Sequence, residues 1–156
     1  MSVAVFDIDG VVADVRHRLH HIESRPKNWH EFFSCAADDP TLAPGLALVA
    51  DLAREHEIIW LTGRPSWLRS LTTDWLRAQN LPSDELHMRA RADYRPAAAF
   101  KLEVLKTLRN RIVTVFVDDD AEVIDAATAA GYPAVFADWV PRARTLREAQ
   151  DRIGRT

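Results

Sequence analysis

Asp7 and Asp9 follow one apolar run, two residues apart, and Asp118 and Asp119 stand side by side after another. Between these pairs lie Thr62-Gly63-Arg64, again behind an apolar run, and an isolated Lys101. Carboxylates gathered without countercharge raise one another's pKa and repel, so a set of this kind makes sense around a hard cation. Mg²⁺ is the natural occupant. A cation, a lysine, an arginine, a hydroxyl and the backbone amides of Gly10 and Gly63 are together what holds a tetrahedral phosphate dianion. An aspartate placed beside that anion can attack phosphorus, and a second acid nearby can move the proton.

The elements that must position these residues can be read from apolar periodicity. Val3-Ala-Val-Phe-Asp-Ile reads as a buried, central strand. Helical spacing over Gly45 to His56 precedes a strand from Glu57 to Leu61, and a helix carrying Trp67, Leu68, Leu71, Trp75 and Leu76 follows. A short strand near Glu85 to Met88, a helix from Pro96, and a second fully buried strand from Ile112 to Val117 continue the alternation. Ala121 to Ala130 reads as a helix, Pro133 to Ala137 as a last strand, and Leu146 to Ile153 as a terminal helix. Alternating helices and strands predict an α/β, Rossmann-like three-layer sandwich with a mostly parallel central sheet. Ligands of such sheets sit at the carboxyl ends of strands, where the polar residues above fall.

The pattern breaks between Val15 and Ala43, where two short helices are expected around Arg18 and Trp29 before the run Asp38-Asp39-Pro40. Residues 15–44 therefore read as a small cap insertion over the first strand's end, within one domain spanning 1–156. The 156 residues carry a net charge of −3, which argues against a generally basic nucleic-acid coat but leaves room for a local basic groove. One runs from Arg89 to Arg111, with seven Lys or Arg against two acids. A solvated basic face is the alternative. The single Cys35 excludes an internal disulfide and a cysteine-based zinc cluster. Val3 to Phe6 is too short for a signal or membrane segment, so a cytoplasmic location is expected.

The order Asp7-Ile-Asp9-Gly10, Thr62-Gly63, Lys101 and Asp118-Asp119 resembles the haloacid dehalogenase superfamily of phosphohydrolases. That resemblance implies a Mg²⁺-dependent phosphomonoesterase working through an aspartyl-phosphate intermediate. Asp7 would be the nucleophile and Asp9 the acid and base, both counted with Asp118 and Asp119 as metal residues. Asp119 would ligate Mg²⁺ with Asp118 in support, although the reverse assignment fits the sequence equally. Thr62, Gly63, Gly10 and Lys101 would hold the phosphoryl oxygens. The Arg16-His-Arg18 region, Gly63-Arg64 and Asp93-x-Arg95 ahead of Lys101 are similar to the 3′-phosphatase domain of bacteriophage polynucleotide kinase. This similarity implies that Arg18, Arg64 and Arg95 help at the phosphate and that the substrate is a nucleic-acid 3′ end. Val11 and Ala97 depart from that pattern, where a Thr and an acidic residue are usual. No Gly-x-x-x-x-Gly-Lys-Ser/Thr loop is present, which argues against a kinase activity in this chain.

Other features have plainer readings. His17, His20 and His21 could set a metal pair on one helix face, but lacking a second ligand cluster they are expected at the surface or facing substrate. Trp29, Phe32 and Phe33 could stack on a nucleobase and are expected to pack the insertion onto the core. Trp60, Trp67 and Trp75 are expected in the core, and Cys35 to be inert. The alternatives carried forward are a phosphatase of soluble nucleotides or other small phosphate esters, and a non-catalytic phosphate-binding module.

Overall fold

The structure is a computed structural model describing residues 2–156. In chain order it contains β1 (Ser2–Phe6), α1 (His20–Glu23), α2 (Trp29–Ser34), α3 (Ala43–Leu52), β2 (Glu57–Pro65), α4 (Arg69–Ala78), β3 (Leu86–Arg89), α5 (Ala97–Thr107), β4 (Ile112–Asp118), α6 (Ala121–Ala129), β5 (Ala134–Phe136) and α7 (Arg144–Glu148). The five strands form one parallel sheet in the order β3-β2-β1-β4-β5. This is the expected α/β, Rossmann-like arrangement.

Strand pleating divides the core into two layers, because successive side chains point to opposite faces. Ala4 and Phe6 of β1, with Ile58 and Trp60 of β2, pack with Val49 of α3 and with Trp75 and Leu76 of α4. Val3, Val5, Ile59 and Leu61 face the other way onto Phe100 and Leu105 of α5 and Val123 of α6. A strand covered on both faces must be apolar throughout, which is why β1 carries no alternation. The strand order reverses at β1, whose neighbours β2 and β4 lead away in opposite directions. A crevice at the carboxyl end of β1 follows from that topology.

Two expectations about burial are corrected. Ile112 is 69% exposed and only Phe116 to Asp118 of β4 are fully buried, because β5 is short and pairs β4 only along Phe116–Asp118. Trp67 is 53% exposed and stacks on His30 at 5.5 Å rather than entering the core. It precedes α4, which begins at Arg69, and so falls outside the stripe that turns Thr72, Trp75 and Leu76 inward. Trp60 and Trp75 are buried as expected.

The segment between β1 and α3 lies against the sheet's carboxyl end. Phe32 and Phe33 join Val15, Ile22, Leu68 and Leu146 in a third apolar cluster. Asn28 starts α2 by accepting a hydrogen bond from the Glu31 amide at 3.1 Å. The three histidines do not share a helix face. His17 lies in a separate turn and meets Asp39 at 2.6 Å, whereas His20 and His21 open α1. His21, Glu31 and Cys35 come together instead, with His21 Nε2 3.5 Å from Cys35 Sγ.

Candidate active site

The register of the three central strands brings the expected motifs to one place. Phe6 is level with Trp60 of β2 and Val117 of β4, and the Asp7 amide donates to the Val117 carbonyl at 2.9 Å. Asp7 therefore leaves β1 beside Thr62 and Asp118. Thr62, Gly63 and Arg64 prove to be part of β2, which runs on to Pro65 rather than stopping at Leu61. Lys101, one turn into α5, is buried, and its ammonium reaches Asp118 Oδ2 at 2.6 Å and Asp7 Oδ2 at 3.0 Å. A lysine stays charged in that place because two carboxylates outweigh its burial.

Carboxyl oxygens of Asp7, Asp118 and Asp119 lie within 4.8 Å of one another. Burial lifts Asp7 to about 7, with Lys101 working against the rise and Asp118 and Asp9 adding to it. Asp119 is pushed well above the ordinary carboxylate range by burial and by the charges of Asp7 and Asp118. Asp118 is tied twice, accepting from Lys101 and from the Asp120 amide at 2.9 Å, while buried Asp119 Oδ1 has no hydrogen-bond partner. An orphaned carboxylate oxygen in an all-oxygen donor set fits a hard cation such as Mg²⁺. Asp119 is the member free to ligate directly, and Asp118 the one already held.

Gly10 makes this approach possible. Its φ is +76°, and a Cβ there would stand 2.0 Å from Asp119 Oδ2. Gly10→Ala is expected to displace the Asp119 carboxylate and lower kcat by about 10²-fold, since small misplacements at a reacting centre cost that much. Steady-state kinetics across a Mg²⁺ titration check it, and an unchanged response to Mg²⁺ would show that Asp119 had not moved.

The Asp9 carboxylate stands outside the three-carboxylate group. It accepts from Arg64 Nη2 at 2.7 Å and from Arg18 Nη2 at 3.1 Å, and both guanidiniums are fully buried. Although burial alone would raise Asp9, Arg64 and Arg18 hold it below its ordinary value. Arg18 and Arg64, expected at the phosphate, thus spend most of their donors on Asp9 and on Asp39, with Arg18 Nη1 donating to the Phe32 carbonyl and Arg64 Nη1 to Thr72 Oγ1, each at 3.2 Å. Asp39 accepts from Arg18 Nε at 2.8 Å, Arg18 Nη2 at 2.9 Å and Arg64 Nη2 at 3.1 Å. Asp39 was not expected at the site, because a side chain in an Asp-Asp-Pro run reads as loop and its partners are distant in the chain.

Arg95 lies elsewhere. Its guanidinium pairs with Asp93 at 2.8 Å and Glu103 at 2.6 Å on the surface. Arg89, which sequence reasoning did not single out, is buried and donates to the Gly63 carbonyl at 3.2 Å. Of the seven cations in the Arg89–Arg111 run, only Arg91, Lys106 and Arg109 stand without an ion pair among the described residues.

A family model described as the polynucleotide kinase PNKP phosphatase domain matches residues 1–136. A protein of Halalkalibacterium halodurans whose name gives it provisionally as a nucleotidase is 28% identical over 85 residues, 54% of this chain and 39% of that one. Among solved structures, one from the Pnkp1/Rnl/Hen1 complex superposes with a TM-score of 0.73 at 23% identity, over 86% of this chain and 45% of that one. The class C acid phosphatase from Bacillus anthracis gives 0.64 at 13% identity, covering 86% and 65%. A haloacid dehalogenase-like hydrolase from Streptococcus pneumoniae gives 0.60 at 12% identity, covering 97% and 92%. The chain thus spans less than half the length of the first two relatives. The family match takes in Asp7, Asp9, Thr62, Lys101 and Asp119 together, on a fold shared with haloacid dehalogenase-like hydrolases, and the chain belongs to the polynucleotide kinase PNKP phosphatase domain family.

Proposed function

We propose that the protein is a Mg²⁺-dependent phosphomonoesterase that forms an aspartyl-phosphate on Asp7 and removes 3′-phosphate from nucleic-acid ends. The observation that carries this reading is the meeting of Asp7, Lys101 and the orphaned Asp119 oxygen at the end of the central strand. Asp7 and Asp119 would hold the ion, with Asp118 in support, and the ion would supply charge neutralisation for the phosphoryl oxygens. Residues 15–44 would serve as a small cap, and the cysteine-poor composition suits a cytoplasmic setting.

An Asp7 carboxylate oxygen attacks phosphorus in line, and the bond to the leaving oxygen breaks as the aspartyl-phosphate forms. Thr62, the Gly63 amide and Lys101 hold the transferring phosphoryl group, and Lys101 also offsets repulsion between Asp7 and the incoming anion. Asp9, kept anionic by Arg64 and Arg18, acts first as a relay. It takes the proton carried by a monoprotonated phosphate ester and passes it to the leaving oxygen. The same carboxylate then removes a proton from the water that hydrolyses the aspartyl-phosphate. Arg18 and Arg64 orient Asp9 rather than contact phosphate.

A panel of a 3′-phosphorylated oligonucleotide, its 5′-phosphorylated counterpart and free mononucleotides tests the substrate, each with Mg²⁺ and with chelator. The 3′-phosphorylated oligonucleotide is expected to turn over fastest, and chelator to abolish turnover. Faster hydrolysis of mononucleotides would overturn the polymer substrate and favour the soluble-nucleotide alternative, to which the nucleotidase-named relative points. Full activity with chelator would overturn the metal requirement.

A further inference from the structure

Beside the end of β2 lies an open cavity of about 440 Å³ whose walls are aromatic and cationic, among them Trp29, His30, Trp67, Arg89, Arg91 and Tyr94. Two of the aromatics are more than half exposed, Trp67 at 53% and Tyr94 at 56%. Rings gathered round one cavity, unlike rings exposed singly, form a patch of the kind that marks a ligand groove. Trp67 is paired face to face with His30, and Trp29 and Tyr94 bring two further rings to the cavity.

Those faces are not bare. The Arg155 guanidinium lies over the Trp29 ring at 5.0 Å and over the Tyr94 ring at 5.8 Å. One delocalised cation within reach of two ring faces marks a place where a nucleobase could take the same aromatic contacts. The residue next along the chain extends the likeness. Thr156 is buried, its carbonyl accepts from Arg89 Nη2 at 3.1 Å, and its backbone presses so closely on Gly63 that a Cβ there would stand 2.2 Å from the Thr156 carbonyl carbon. Consecutive residues of one segment thus occupy an aromatic slot and the space against the phosphate-binding Gly63. The base and the 3′-phosphate of one nucleotide are likewise separated by a single sugar.

We propose that the Trp29–Tyr94 slot binds the nucleobase of the 3′-terminal nucleotide and that Arg155 holds the slot until substrate displaces it. This rests on the phosphatase reading above and extends it from the phosphate to the base. Asp7, Asp9, Thr62 and Lys101 are all buried in the present arrangement, so a substrate has to move something to reach them, and the Gly154–Thr156 segment stands directly at Gly63. A base offers a larger flat surface than a guanidinium, and Arg91, exposed at the cavity and without an ion pair among the described residues, suits the adjoining phosphodiester.

The experiment compares two 3′-phosphorylated oligonucleotides, one with a normal terminal nucleotide and one ending in a stable tetrahydrofuran abasic sugar. The unaltered protein is expected to show a KM about 5- to 100-fold lower for the base-bearing end, the range that stacking of one base on aromatic rings provides. Tyr94→Ala, an exposed position, is expected to remove most of that preference, and Arg155→Ala to lower the KM for the base-bearing end several-fold. Equal KM values for the two ends in the unaltered protein would overturn the slot while leaving the phosphatase reading in place. Should neither oligonucleotide be dephosphorylated, the phosphatase reading fails. The slot is then read by binding of a short single-stranded oligonucleotide, and equal affinity for the unaltered protein and Tyr94→Ala would overturn it.

Discussion

Asp7→Asn is expected to lower turnover by about 10⁴-fold or more with the chain still folded, because an amide of the same shape has no lone-pair-bearing anionic oxygen to offer phosphorus. The substitution is close to isosteric and keeps the Oδ1 that accepts from the Ile8 amide at 2.8 Å. Lys101 keeps its shorter contact, the 2.6 Å bond to Asp118. One negative charge leaves a buried cluster in which Asp7 and Asp118 both raise Asp119. The melting temperature without metal is therefore expected to stay level or rise, as removing a like charge relieves repulsion. Turnover and thermal melts measured on the same preparation check both halves. Turnover within tenfold of the unaltered protein would remove Asp7 from the nucleophile's role.

What the sequence made legible follows from how buried parallel strands are written. A strand covered on both faces must be apolar along its length, so the acids that interrupt it mark its end, and Asp7 and Asp118 were visible for that reason. The strand order then sets Asp7 between Thr62 and Asp118. Lys101 was legible only through its place in a known order of motifs, since one lysine on a helix is ordinarily solvated. Arginine was harder to place than aspartate. Its long side chain reaches partners that local sequence does not reveal, so Arg95 stays on local acids while Arg89, unremarked at a strand end, turns inward to Gly63. Trp67 shows the opposite error. Its apolar character and helical spacing suggested the core, but helix α4 begins two residues later and leaves the ring at the mouth of a cavity.

Asp39 was the least visible residue, and removing it is expected to have the largest effect on stability. Its side chain is wholly buried and lies against three cation-forming groups, Arg18, Arg64 and His17. Burial lifts its carboxyl above the ordinary value, with the Arg18 and Arg64 guanidiniums working against the rise. In Asp39→Ala two fully buried guanidiniums would share Asp9 as their remaining carboxylate. Breaking a buried ionic network on one side typically costs about 3–5 kcal/mol, because the stranded charges keep their desolvation penalty. For a chain of this size that corresponds to a fall in melting temperature of roughly 6–20 °C. Trp75 Nε1 donates to the Asp39 backbone carbonyl at 2.9 Å, a bond the substitution leaves intact, so the loss reports the carboxylate rather than the loop. Asp39→Asn keeps the shape and one acceptor and is expected to fall between the two. Activity should decline as well, through kcat more than KM, since Arg18 and Arg64 would no longer be fixed where they orient Asp9. An Asp39→Ala protein that melts within 2 °C of the unaltered chain, a margin of about 1 kcal/mol or less, would show that water or another group replaces the carboxylate, and that Asp9 alone holds both arginines.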